Sequence, residues 1–248
     1  MKTVLITGCS SGFGLETAKL FLARGWQVIA TMRSPDESLL PASENLRVLP
    51  LDVTNAESIA ALVEQAGEVD VLVNNAGIGF LNALEGSSLE VIRTLFETNT
   101  FGTMAMCKAF MPQFRTRQSG MFINVTSTVA IAPFPLLSVY SASKAAVNRF
   151  TETLAEELKP FNIQAKVVMP GRAPDTRFGE NAQGLMQEGF PEAYQALIEG
   201  IFAGWAADNS ELTKAVDVAE AVWQAATEPS APMYLAAGAD AVALYNAG

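Results

Sequence analysis

The strongest constraint on how this chain folds is the alternation of two patterns. Short, unbroken apolar runs rich in Val and Ile are separated by longer stretches with helical spacing. The runs are TVLIT (3–7), QVIAT (27–31), LRVLPL (46–51), VDVLVN (69–74), MFINVT (121–126) and IQAKVVM (163–169), with a last short one at 233–235. Runs this short and apolar on both faces suit strands of a parallel sheet covered by helices on either side. Between them, Leu15, Ala18 and Leu22, and then Ile59, Leu62 and Val63, recur at helical spacing. A long helical stretch covers 138–159 and ends at Pro160, and another covers 217–227 ahead of Pro229, because proline cannot continue a helix. The expectation is an α/β protein, a doubly wound seven-stranded parallel sheet. With 248 residues and no internal repeat or linker, the chain is expected to be a single domain, 1–248.

One stretch breaks the alternation. Residues 172–212 follow the sixth run without a strand pattern, yet carry Phe178, Leu185, Met186, Phe190, Tyr194, Leu197, Ile201, Phe202 and Trp205. A helical insertion beyond the C-terminal end of a strand lies on the side where such sheets bind ligands. It is therefore expected to be a substrate lid, although an ordinary pair of packed helices would read the same way.

Composition narrows the chemistry. The chain has no histidine and two cysteines, Cys9 and Cys107, so a disulfide framework, a Cys/His zinc site and a Ser-His-Asp triad are not expected. No metal site is expected, and acid–base work falls to Tyr, Lys, Asp or Glu. The net charge of −10 repels phosphate backbones, which argues against nucleic acid as a partner. No run of about 18 apolar residues marks a membrane span. The start, Lys2 followed directly by TVLI, lacks a signal-peptide pattern, and a cytoplasmic location is expected.

Three motifs carry chemistry. The first strand ends in Thr7-Gly8-Cys9-Ser10-Ser11-Gly12-Phe13-Gly14 and opens into a helix. Glycines there allow a tight turn and close approach of backbone to a pyrophosphate, which the helix N-terminus attracts. Gly8, Ser10, Ser11, Gly12, Phe13 and Gly14 are candidate dinucleotide contacts, and the fold expectation sharpens to a Rossmann fold, although a glycine turn can also serve packing alone. At the end of the second strand, an enzyme that uses NAD usually places a carboxylate for the ribose 2′-hydroxyl. Here the strand ends Thr31-Met32-Arg33, with no acid before Asp36. Arg33 can hold a 2′-phosphate by charge-assisted bonds, so NADP(H) is the expected cofactor. The third motif is Ser127 with Tyr140 and Lys144. The last two sit four apart and share a helix face. An ammonium beside a phenol stabilises the phenolate and lowers its pKa, giving a histidine-free chain a proton carrier.

With these motifs in order, the sequence resembles the short-chain dehydrogenase/reductase family in its roughly 250-residue class. The resemblance also rests on Asp52-Val53, Asn74-Asn75-Ala76-Gly77, Asn99 and Pro170-Gly171, and runs from residue 3 to about 176. It implies Tyr140 as general acid in reduction and base in oxidation, and Ser127 as a hydrogen-bond donor to the substrate oxygen. Lys144 would lower the tyrosine's pKa and bond the nicotinamide ribose, and Asn99 would hold a proton-relaying water. Asp52 and Val53 would border the adenine, Asn75, Ala76 and Gly77 would close over the cofactor, and Pro170 and Gly171 would lie at the nicotinamide. Two departures stand out. Pro170-Gly171 continues as Arg172-Ala173-Pro174-Asp175-Thr176, which the resemblance makes one residue longer than the family's usual run. The C-terminus reads Tyr234-Leu235-Ala236-Ala237-Gly238-Ala239-Asp240-Ala241, which is more similar to the branch of 17β-hydroxysteroid and retinol dehydrogenase-like enzymes than to 3-oxoacyl-carrier-protein reductases.

The expected substrate wall is apolar: Ile131, Pro133, Phe134, Pro135 and Leu136, then Phe80 and Leu81, then Phe178, Met186 and Phe190. That favours a small apolar ketone, aldehyde or secondary alcohol. Arg172 and Arg177 could instead recognise an anion, or be solvated loop charges. The family is usually oligomeric through 102–117 and 141–159, so a homodimer or homotetramer is expected. An NAD-linked dehydrogenase and a non-catalytic NADP sensor remain alternatives.

Overall fold

The computed structural model describes residues 1–176 and 189–247. Among them, seven strands form one sheet: β1 (Thr3–Thr7), β2 (Gln27–Met32), β3 (Leu46–Pro50), β4 (Val71–Asn74), β5 (Gly120–Val125), β6 (Ile163–Pro170) and β7 (Tyr234–Ala237). Every neighbouring pair is parallel, in the order β3-β2-β1-β4-β5-β6-β7. This is the doubly wound Rossmann arrangement expected from the sequence, with strand ends within two residues of the apolar runs. The winding direction reverses between β1 and β4, and a crevice opens there beyond the strands' C-terminal ends.

Helices cover both faces because the strands are apolar on both. Along β1, Val4 and Ile6 point into one core and Leu5 into the other, the period-two alternation of a pleated strand. The first core lies under α1 (Gly12–Ala23) and α7 (Ala215–Thr227). There Phe21, Trp26 and Trp223 meet edge-on, with ring centroids 5.0 to 5.8 Å apart. The second core lies under α2 (Ala56–Ala66), α4 (Gly102–Arg117) and α5 (Ser138–Leu158), and holds Leu62, Phe110, Phe114, Phe122 and Leu154. Lys166 is the exception within β6. It is buried, and its Nζ donates to the carbonyls of Ala225 and Glu228 at 3.3 Å, capping the C-terminal end of α7.

Helix α3 (Leu89–Phe96) runs into α4 through a π turn, Glu97–Phe101, a local widening often found at functional sites. After β6, the described part of 172–212 contains a short 3₁₀ turn at Glu192–Tyr194 and helix α6 (Gln195–Ala207). Of the apolar residues expected in this stretch, Phe178, Leu185 and Met186 lie outside the described residues, as does Arg177. Helix α8 (Ala239–Ala247) follows β7. No helix among the described residues is long and apolar enough to cross a membrane.

Candidate functional site

The crevice at the winding switch is a cleft of about 1210 Å³. Its floor begins at the open start of α1. Helices α2 and α3 are closed at their N-termini by the side chains of Asn55 and Ser88. By contrast, Ser11 at the start of α1 makes no side-chain cap bond, and the first turn holds no acidic residue. Those N–H groups and the positive end of the dipole are left for an anion in the cleft.

The turn before α1 is locked to the neighbouring strand by short polar side chains. Thr7 Oγ1 accepts from the backbone N–H groups of Asn75 (3.0 Å) and Ala76 (2.9 Å). Asn75 Nδ2 donates back to the carbonyls of Thr7 (2.9 Å) and Gly8 (3.2 Å). Gly8 has φ +76°, and a Cβ on Gly14 would overlap the Gly8 carbonyl and the Asn75 amide. Both glycines are therefore required by the turn itself. Gly8, Ser10, Ser11, Gly12 and Phe13 line one side of the cleft, and Asn75, Ala76 and Gly77 line the other.

At the far end, Met32, Arg33, Asp52 and Val53 complete the wall. Arg33 is exposed and makes no hydrogen bond or ion pair with the described residues. Asp52 Oδ1 accepts from the Thr54 backbone (2.9 Å) and hydroxyl (2.7 Å). Those bonds, with a smaller contribution from Arg33, hold its pKa below the usual carboxylate range.

Ser127, Tyr140 and Lys144 come together where β5 ends. Tyr140 and Lys144 enter from the first turns of α5 and are 6% and 5% exposed. The Ser127 side chain is hydrogen-bonded to Tyr140. Lys144 Nζ lies 6.0 Å from the centre of the Tyr140 ring and donates to the Val125 carbonyl at 3.1 Å. Burial pushes the Tyr140 phenol well above its ordinary value, opposed only by the Ser127 bond. Burial also draws Lys144 down to about 8. The sequence led us to expect Lys144 to lower the phenol's pKa, but in this geometry desolvation is the larger effect on both groups.

Asn99 is a brace behind this cluster. Its Oδ1 accepts from Ile78 N (2.8 Å), and its Nδ2 donates to Ile78 O (2.9 Å) and Ser143 Oγ (3.1 Å). Its carbonyl, within the π turn, accepts from Thr103 Oγ1 at 2.9 Å. A Cβ on Gly77 would stand 3.1 Å from Asn99 Oδ1 and 3.3 Å from Lys144 Nζ. Gly77 thus leaves the ammonium room to meet a ligand, and a dinucleotide fits the combination of open helix end, glycine cradle and buried cation.

Among the expected site residues, Gly14, Asn99, Ser127, Pro170 and Gly171 do not line this cleft, while Tyr140 and Lys144 do. Pro170 and Gly171 sit at the end of β6, one strand beyond β5. The sequence reasoning missed Thr98, Glu90 and Arg93, which reach the cleft from one side of α3 and the π turn; Thr176 also lines the cleft, 3.5 Å from where a Cβ on Gly12 would stand.

The expected substrate wall divides. Phe80 is buried against Leu95, Val139 and Tyr140, with Val129 and Leu137 beside it. Leu136 is buried with Ala83 and Ile198, and Phe190, Tyr194 and Ile201 of the insertion pack on that cluster. Ile131 is exposed. Leu136 has φ +66°, a left-handed conformation that costs a branched residue about 1–2 kcal/mol. It is held there by Asn82, whose N–H donates to the Leu136 carbonyl at 2.9 Å. Asn82 Nδ2 also donates to the carbonyls of Gly86 and Gly189 at 2.9 Å. Cys9 and Cys107 are both buried, and burial pushes their thiols up to about 12, so neither is a nucleophile at neutral pH.

Comparison with known proteins gives a consistent pattern. The sequence profile described as short chain dehydrogenase matches residues 2–183. A 3-ketodihydrosphingosine reductase of Bacteroides thetaiotaomicron is 42% identical over 172 residues, 68% of this chain and 62% of that protein. Retinol dehydrogenase 8 of Bos taurus is 42% identical over 182 residues, 68% of this chain and 58% of its own. The chain thus matches about three fifths of the length of these relatives. A short-chain dehydrogenase from Streptomyces avermitilis superposes over 100% of this chain and 92% of its own, with a TM-score of 0.83 and 33% identity. A serine dehydrogenase complexed with NADP+ gives 0.81 at 28% identity, covering 95% and 94%. A Burkholderia phymatum short-chain dehydrogenase/reductase in complex with NAD gives 0.80 at 25%, covering 95% and 88%.

Proposed function

Because the chain belongs to the short-chain dehydrogenase/reductase family, and is therefore an oxidoreductase of that family, we propose that it moves a hydride between NADP(H) and the carbonyl or alcohol carbon of a small apolar substrate. The observation that carries this reading is the burial of Tyr140 and Lys144, with Ser127 hydrogen-bonded to Tyr140, at one end of a cleft whose floor is an uncapped helix N-terminus.

The dinucleotide, when bound, supplies or accepts the hydride. Everything else is the work of the chain. The open end of α1 and the Gly8–Gly14 turn bind the pyrophosphate, and Asp52 and Val53 border the adenine. Asn75, Ala76 and Gly77 close the opposite wall. Tyr140, kept protonated by burial, gives its proton to the substrate oxygen in reduction and takes it back in oxidation. Ser127 donates to the same oxygen and steadies its developing charge. Lys144 bonds the ribose and, as an ammonium, replenishes the phenol's proton. Asn99 keeps this end of the cleft in register and presents its carbonyl to a relaying water. Pro170 and Gly171 meet the nicotinamide.

NADP(H) is favoured over NAD(H) by Arg33, which makes no ion pair among the described residues, and by Met32, which stands where a carboxylate would serve a 2′-hydroxyl. The structural neighbours include one with NADP+ and one with NAD, so the preference rests on these residues. The segment 172–212 serves as the substrate-side lid of a single domain. Its packing of Phe190, Tyr194, Ile198 and Ile201 onto Ala83 and Leu136 supports an apolar substrate. We further propose a homo-oligomer acting in the cytoplasm. Tyr140→Phe tests the reading: turnover should fall by about a thousandfold or more while cofactor binding survives. Retained turnover would overturn the proton-transfer role.

A further inference from the structure

The run after Pro170-Gly171 and the ending Gly238-Ala239-Asp240, the two segments that stand out in the sequence, are joined in the structure. Gly171 N–H donates to Thr213 Oγ1 at 3.0 Å, and Arg172 N–H donates to Asp240 Oδ2 at 2.7 Å. Thr213 is 2% exposed. Its hydroxyl lies 2.5 Å from Asp240 Oδ1 and 2.9 Å from the Ala237 carbonyl, so its single proton goes to one of these acceptors. The fit is tight enough to dictate two glycines. A Cβ on Gly171 would overlap the Asp240 carboxylate, and one on Gly238 would overlap Thr213 Oγ1. Two successive peptide N–H groups after β6 are thus held by one hydroxyl and one carboxylate from distant parts of the chain, with the Ala237 carbonyl a longer second acceptor for Gly171 N–H at 3.4 Å.

The position of this clasp gives it a consequence. β6 pairs with β5, and Thr126 N, next to Ser127, donates to the Val168 carbonyl at 2.8 Å. The chain then crosses from Gly171 to Thr176, which lines the cleft beside Gly12. The clasped turn therefore spans from the Ser127–Tyr140 end of the site to the start of α1. The side chain of Arg172 pairs with Asp208 at 3.0 Å and lies over Trp205 at 5.7 Å, tying the same turn to the end of α6.

We propose that Thr213 and Asp240 are positioning residues for the nicotinamide end of the dinucleotide. They fix the peptide groups of 170–172 so that this turn meets the nicotinamide ring, and they make no contact with the adenosine half. This rests on the dinucleotide site proposed above. The turn after β6 is then held by the segment that follows β7.

The test compares two ligands that differ only in the nicotinamide. Titration calorimetry measures the affinity of the full-length protein for NADP+ and for 2′-phospho-ADP-ribose, with NAD+ and ADP-ribose run in parallel. Thr213→Val and Asp240→Asn should each weaken binding of the complete dinucleotide by about tenfold and leave the nicotinamide-free ligand within about twofold. Thr213→Ser, which keeps the hydroxyl, should bind both ligands like wild type. Equal weakening for both ligands would show a clasp that only holds the fold together, and no weakening for either would show one without consequence. Each result overturns the proposal. Wild-type protein that bound no ligand of either pair would overturn the dinucleotide reading, and this inference with it.

Discussion

The two halves of the cleft are built by different means. In the nucleotide half, position is set by backbone and by short polar side chains. Thr7 and Asn75 bond main-chain groups, Gly8 turns with positive φ, and α1 is left uncapped at its N-terminus. In the substrate half, position is set by apolar packing of Phe80, Leu136, Ile198 and Phe190, with Asn82 as the main polar tie. The first kind of construction permits few residue types at each position. The second accepts many residues of similar volume. The nucleotide half can therefore stay constant while the substrate half varies, and substitutions in the two halves should affect different measurements.

After Tyr140→Phe, the largest expected effect is at Lys144, where the two halves meet. Lys144→Met should lower turnover by at least about a hundredfold while stabilising the fold. In the folded protein the lysine titrates near 8, below its ordinary value of 10.5, so between these two pH values the unfolded state binds more protons. Stability therefore rises with pH across that window, and the cost of burying the charge is felt in full below pH 8. The stabilisation by methionine should be greatest at neutral pH, about 3 kcal/mol at most, and should fade above pH 10.5. Thermal melts at pH 7 and 10 measure it. A loss of stability at pH 7 would contradict the burial argument.

Next in size is Phe80→Ala, which removes a side chain only 3% exposed beside Tyr140. It should cost about 3–4 kcal/mol in a denaturant titration and raise KM for bulky carbonyls less than for small ones. Arg33→Ala sharpens the comparison from the other side. NADPH affinity should fall by about tenfold with NADH affinity unchanged, and the ranking of substrates should stay the same. Ile198→Ala should do the reverse, changing the ranking of carbonyl substrates severalfold with little effect on cofactor affinity. A substitution in one half that moved the other half's measurement would break the division.

The same difference explains what could be read from the sequence. The seven strands were legible because a buried parallel strand needs an unbroken apolar run, and the glycine turn was legible because no other residue fits it. The substrate wall was only partly legible. Phe80 and Leu136 proved to be packed in the clusters beside Tyr140 and the insertion, and Ile131 to be exposed, since apolar composition alone does not say which way a side chain points. The π turn at Glu97–Phe101 leaves no compositional mark, and neither does the approach of Arg93 and Thr98 to the cleft. The bond between Arg172 and Asp240 joins residues 68 apart, and a single sequence carries no sign of such a pairing. The balance between burial and a nearby ammonium at Tyr140 likewise depends on depth, which residue spacing does not reveal.

The most direct test of the account is the rate of NADPH and NADH oxidation by the purified protein across a panel of apolar ketones and aldehydes, with a few sugars alongside. The account predicts turnover of at least one apolar carbonyl, with kcat/KM for NADPH at least about tenfold above that for NADH. Tight dinucleotide binding with no turnover of any carbonyl would contradict it and leave a protein that only senses the nucleotide.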